Sequence, residues 1–229
     1  MNLILCIETS TEVCSVALAQ NGKTIGLLHI EQGNEHASKL NGLVQELLLK
    51  AGYGLNQLDA VAVCKGPGSY TGLRVGVSAA KGFCYALDIP LIAIDSLTSL
   101  AAYFVQHNNL DQNALLIPMI DARRMEVYTA VFNQKLNMLA PIEAKVIGQD
   151  SFTELLNRQE LVFFGNGAEK CKANITHKNA VFVDGIHCSA SGLCLLANEA
   201  FINNSFENVA YFEPYYLKDF VGTQARKLV

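Results

Sequence analysis

Three extended stretches crowd the first thirty residues before the hydrophobic period changes. Residues 3–7 form a short apolar run, 13–19 alternate, and 24–30 are again extended. Asn21-Gly22 stands between the second and third, the dipeptide favoured in a two-residue hairpin turn. From 36 to 51, Leu40, Leu43, Val44, Leu47, Leu48 and Ala51 fall on one helical face. A buried strand over 59–64, a helix over 71–87 and a strand over 91–94 follow. A helix over 95–107, capped by Asp95 or Ser96, completes the order βββαβαβα.

The second half repeats that order more weakly. Strands are expected at 115–120, 127–132, 142–146, 161–164 and 181–183, with helices near 150–157, just after Gly167, and over 189–203. A local echo supports the repeat. Ile7-Glu8, a turn and Glu12-Val13 are matched by Ile120-Asp121, a turn and Glu126-Val127. The expected organisation is an α/β chain of two lobes, 1–109 and 110–229.

Composition narrows the function. Half the chain is apolar (51%) and 17% is charged, as in a folded globular protein. With a net charge of −4 and its 17 Lys and Arg scattered, the chain lacks the basic face needed to grip nucleic acid unaided. The N-terminus lacks the basic region and cleavage site of a signal peptide, and no run is long enough to span a membrane. Seven cysteines in apolar surroundings, without a C-x-x-C pair, read as reduced thiols in a cytoplasm.

Gly66-Pro67-Gly68-Ser69-Tyr70-Thr71-Gly72 lies between a strand and a helix. It has neither Walker nor dinucleotide spacing. Two readings stay open: a tight turn with Ser69 or Thr71 as helix cap, or an anion site. In the helix that follows, Gly72, Gly76 and Ala80 recur every four residues, with Cys84 next. Interior glycine costs about 1 kcal/mol, so the stripe must pack closely on something, either the chain's own sheet or a partner. Glu8 and Asp121 end corresponding strands. In the actin-like ATPase fold two such acids handle metal-bound phosphate, beside glycine-bearing turns. The turns here, Glu8-Thr9-Ser10-Thr11 and Asp121-Ala122-Arg123-Arg124, contain no glycine. Phe164-Gly165-Asn166-Gly167 is either a remnant nucleotide contact or an ordinary turn. No two of the five histidines are spaced i, i+4, and His36 reads as a structural or interface residue.

Taken together, Ile7-Glu8-Thr9-Ser10 with Cys14-Ser15-Val16-Ala17-Leu18, His36, the 66–76 stretch ending Leu73-Arg74-Val75-Gly76, Ile120-Asp121-Ala122-Arg123 with Glu126-Val127-Tyr128, and Glu213-Pro214-Tyr215-Tyr216-Leu217 resemble the TsaB (YeaZ) family. The resemblance implies an actin-like ATPase (ASKHA) fold, related to the catalytic subunit TsaD. TsaD-like sequences carry an H-x-x-x-H metal pair after the glycine-rich helix. Its positions fall here on Ser96 and Leu100, so neither metal nor cofactor is implied. An older protease label attached to the superfamily would need that metal site too.

The implied role is a non-catalytic, cytoplasmic subunit. It would bind and activate TsaD for threonylcarbamoylation of the adenosine beside the anticodon, in tRNAs reading codons that begin with A. TsaE, an ATPase, would join the assembly, tRNA would be reached only through it, and the chain alone would form a homodimer. The implied partner surface lies on helices 36–51 and 71–87, at His36, Leu40, Ser69, Tyr70, Thr71, Arg74, Val75 and Gly76. Glu8, Asp121 and Arg123 would mark a vestigial cleft. The rival reading is an actin-fold ATP-dependent enzyme acting in its own cleft.

Overall fold

The computed structural model describes residues 2–30, 36–108 and 113–218, without the side chain of His36. In the first half, β1 (Leu3–Glu8), β2 (Cys14–Gln20) and β3 (Lys23–Ile30) form an antiparallel meander. Parallel strands β4 (Ala60–Gly66) and β5 (Leu91–Asp95) extend it in the order β3-β2-β1-β4-β5. Asn21 and Gly22 both take positive φ (49° and 80°), the mirror-image turn their sequence calls for. Helices α1 (His36–Ala51) and α2 (Tyr70–Leu87) cover one face. Leu40, Val44 and Leu47 join Val77, Ala80 and Cys84 over Leu5, Ile7, Val16 and Val63.

The second half repeats the topology with β6 (Leu115–Asp121), β7 (Glu126–Phe132), β8 (Met138–Val146), β9 (Leu161–Phe164) and β10 (Ala180–Val183), ordered β10-β9-β6-β7-β8. Its helices are reduced. The expected 150–157 helix is only α4 (Thr153–Leu156), because Phe152 enters in the left-handed region at φ 64°. The helix expected after Gly167 is one 3-10 turn, Glu169–Cys171. β8 begins four residues before the expected 142 and contains Pro141, which an edge strand tolerates.

The terminal helix of each half serves both. Leu97, Leu100 and Phe104 of α3 (Ser96–His107) pack on Leu116, Ile120, Phe132 and Phe164 of the second sheet, the rings of Phe104 and Phe164 stacked 3.9 Å apart. Leu193, Cys194 and Ala197 of α5 (Ser191–Ile202) cover Ile4, Cys6, Ala17 and Ala62 on the first sheet's other face. The expected boundary at 109–110 lies outside the described residues, and the cores of the two halves interlock through these helices. Beyond α5 the chain returns to the first half. Glu207 N–H donates to Leu91 O (2.8 Å) along β5, and Tyr215 N–H donates to Lys65 O (2.7 Å). We call residues 207–218 the strap.

Candidate functional site

Ser69 caps α2, its hydroxyl accepting from Gly72 N–H at 3.3 Å, and the glycines around it are explained inside the chain. A Cβ on Gly68 would lie 2.3 Å from Ser10 O, one on Gly72 2.1 Å from Thr9 O, and one on Gly76 2.2 Å from Thr9 Oγ1. Ser69 N–H donates to Ser10 O at 2.7 Å. The loop is therefore a tight turn pressed on the β1–β2 turn, and the small-residue stripe faces inward. This corrects two expected interface residues. Gly76 is buried on Thr9, and Leu40 is buried in the core beneath α1. Of the others, Ser69, Thr71 and Arg74 are exposed, Tyr70 and Val75 are half-buried, and the His36 side chain lies outside the described residues.

Between the two sheets lies a cleft of about 560 Å³, lined by Ser10–Glu12, Gly68–Thr71, Asp121–Arg123, Tyr128, Asn166 and strap residues 215–218. Asp121 and Arg123 line it. Glu8 does not: it is fully buried behind the turn, and Glu12 takes the place on the cleft wall. Oε1 of Glu8 accepts from Ser10 N–H at 2.7 Å, while Oε2 has no hydrogen-bond partner. Burial pushes its carboxyl above the ordinary value of 4.5, opposed more weakly by the Ser10 side chain, the Ser10 N–H and the Cys64 thiol. Burial, then the Glu8 charge, also pushes Cys14 up to about 11 and raises Cys64 and Cys188. Such thiols are poor nucleophiles.

Asp121 has the opposite surroundings. Its Oδ1 accepts from Lys170 Nζ at 2.5 Å and Arg123 N–H at 2.7 Å, while its own N–H donates to Asn166 Oδ1 at 3.1 Å. Lys170 completes its three donors on Arg124 O and Glu126 O, each at 2.7 Å. An ammonium of the chain itself thus sits on the acid that a metal–phosphate site would require. Asn166 Nδ2 donates to Glu12 Oε2 across the cleft at 2.9 Å, and Lys218 pairs with Glu126. Asn166 belongs to a loop the sequence singles out. Lys170 and Lys218 carry no sequence signal, since each reaches its acid only through the fold.

Ser96 and Leu100 are engaged in packing. The Ser96 hydroxyl donates to Pro67 O at 2.5 Å, and Leu100 is buried against the second sheet. Among the described residues, no group of three or more His, Cys, Asp or Glu could hold a metal ion, and no helix is long and apolar enough to cross a membrane.

Two sheets of identical strand order, with strand-end acids at the first turns and a cleft between, define an actin-like ATPase fold. The comparisons agree. The model for "TsaD: tRNA N6-adenosine threonylcarbamoyltransferase" matches residues 23–228. The chain is 41% identical over 126 residues to the tRNA threonylcarbamoyladenosine biosynthesis protein TsaB of Haemophilus influenzae, covering 55% of this chain and 51% of that one. A Pseudomonas aeruginosa structure described as similar to peptidase YEAZ superposes with TM-score 0.79 at 26% identity, over 95% of this chain and all of that one. A Clostridium difficile activator of 2-hydroxyisocaproyl-CoA dehydratase, with TM-score 0.51 and 10% identity over 90% of this chain and 98% of that one, shares the fold alone. The chain belongs to the TsaD threonylcarbamoyltransferase family, in its TsaB (YeaZ) branch. It matches only 51–58% of the length of its first curated relatives.

Proposed function

We propose that this chain is a non-catalytic cytoplasmic subunit that binds and activates a TsaD-type transferase. That enzyme would threonylcarbamoylate the adenosine beside the anticodon in tRNAs reading codons that begin with A. The observation that carries the reading is the state of the cleft acids. Glu8 is walled off and Asp121 is held by Lys170, so neither offers charge to a metal-bound phosphate. Binding then falls to a surface, and the outer face of α1 and α2 supports that role. Gly42 and Gly82 lie inside helices and are exposed, and a Cβ on either would meet nothing within 4 Å. Each costs about 1 kcal/mol of helix stability without an internal packing reason, and close approach of a partner helix supplies one. The partner face runs over Ser69, Tyr70, Thr71, Arg74 and Val75, continued by Ser78, Gly82 and Tyr85. An ATPase of TsaE type joins the complex, tRNA is contacted through it, and the same face forms a homodimer when the transferase is absent.

The test combines binding and activity. Calorimetry should find the chain binding a purified TsaD-type transferase and raising its rate on tRNA, with no ATP bound by the chain alone. Gly82→Arg should keep the melting temperature and abolish transferase binding. ATP binding by the isolated chain, together with a rate loss of about 100-fold or more in Asp121→Asn, would establish the rival reading of an enzyme acting in its own cleft.

A further inference from the structure

The strap runs along the flank of α2 opposite to α1. At about 100° per residue, Tyr70, Arg74 and Lys81 share one side of α2, and Val75, Ala79 and Phe83 lie on the other. Lys81 Nζ donates to Ala210 O at 3.2 Å and Phe212 O at 2.9 Å, while the Tyr216 ring lies 4.8 Å from that of Tyr70. Arg74 caps the pair, donating to the Tyr70 hydroxyl at 3.2 Å with its guanidinium carbon 5.3 Å from the ring. Val209 and Phe212 anchor the strap in the core.

Its outward side chains are then left standing in the open. Tyr211 is 84% exposed, and Tyr85, one turn beyond Lys81 on α2, is 86% exposed. Neither ring helps hold the fold, yet both project from backbone that is already fixed. Tyrosine and arginine on rigid supports are the side chains that dominate protein–protein contacts, because little freedom is left to lose on binding.

We propose that the strap is the second flank of the partner surface, so that a TsaD-type transferase grips α2 from the α1 side across to Tyr85, Tyr211 and Tyr216. The inference rests on the reading above and deepens it. The transferase is chosen as occupant because its family model matches residues 23–228, which span α1, α2 and the strap. Such a partner carries a counterpart of each element, and like surfaces pack on like about a local two-fold axis.

The experiment measures transferase affinity by calorimetry for the full chain and four variants, with thermal melting beside each. Tyr211→Ala removes an exposed ring and should leave melting unchanged while weakening binding about tenfold or more. Tyr211→Ala with Tyr216→Ala should weaken it further. Leu139→Ala, on the far edge strand β8, should match the parent. If Gly82→Arg abolishes binding while both tyrosine variants bind as the parent does, the strap has no part in docking and only this inference falls. If Gly82→Arg also binds normally, the helix-face reading falls with it. Should the tyrosine variants disrupt only self-association, leaving transferase binding intact, the occupant is a second copy and the proposal is overturned.

Discussion

The β1–β2 and β6–β7 turns hold the same place in their sheets and begin with an acid at the same strand end, yet the chain treats them in opposite ways. At the first, Glu8 points inward among thiols, with Oε2 unpartnered. At the second, Asp121 faces the cleft, and its Oδ1 is engaged by Lys170 and by its own turn. A phosphate-handling cleft needs both acids accessible and uncompensated. Here one has lost access and the other its free charge, by unrelated routes. The shared element is mechanical. In both halves, glycines following the fourth strand press on the first strand's exit: Gly68, Gly72 and Gly76 on Thr9 and Ser10 of the turn, Gly165 and Gly167 on Met119 and Asp121 at the end of β6.

Methyl groups at these glycines should break that likeness unequally. In Gly72→Ala the new Cβ meets a main-chain oxygen at 2.1 Å, so the β1–β2 turn and the helix must part. Urea denaturation should show a loss of about 3 kcal/mol or more, the upper range for overpacking. Gly76→Arg adds a buried charge at the same contact and should leave no cooperative melt. Gly167→Ala meets its nearest atoms at 2.9 Å and should cost about 1 kcal/mol. Equal losses in the two alanine variants would show that the turns are supported alike.

How much of this is legible in the sequence depends on the range of the interaction. The order of elements in the first half and the Asn21-Gly22 turn follow from local period and turn chemistry and stand where expected, and of the two cap candidates the structure uses Ser69. The direction of the glycine stripe does not follow, because small residues every four positions suit an internal strand as well as a foreign helix. Glu8 misleads for a related reason. A strand-end acid reads the same whether its side chain turns to the cleft or under it. Lys170 on a three-residue turn and Tyr216 in a strap without period become partners of Asp121 and Tyr70 only after the halves assemble.

Lys170→Met sharpens the comparison at the second turn. The substitution keeps the stem and removes three charge-assisted hydrogen bonds, two of them to main-chain carbonyls. With the side chain partly exposed, the expected loss is about 2 kcal/mol, shrinking in high salt as far as the Asp121 pair contributes. Asp121→Asn should lose less, since Lys170 keeps both carbonyls. A larger loss in Asp121→Asn would mean that the ion pair, rather than the carbonyl clamp, holds the turn.

The smallest effect carries the opposite sign. Burial raises the folded-state value of Glu8 above 4.5, so the folded chain holds this proton more tightly than the unfolded one. The stability that proton confers is complete below the unfolded value and is lost as pH rises through the folded one. Glu8→Gln keeps an oxygen to accept from Ser10 N–H and removes the ionisation. The variant should therefore melt higher than the parent at neutral pH, by a few degrees at most, and the gap should close as pH falls below the ordinary carboxylate range. Because only the difference between the two proteins is read, other titrating groups cancel. A gap unchanged between pH 7 and pH 4, or a variant less stable at pH 7, would mean that Glu8 is held as a carboxylate, and that the two turns differ in exposure alone.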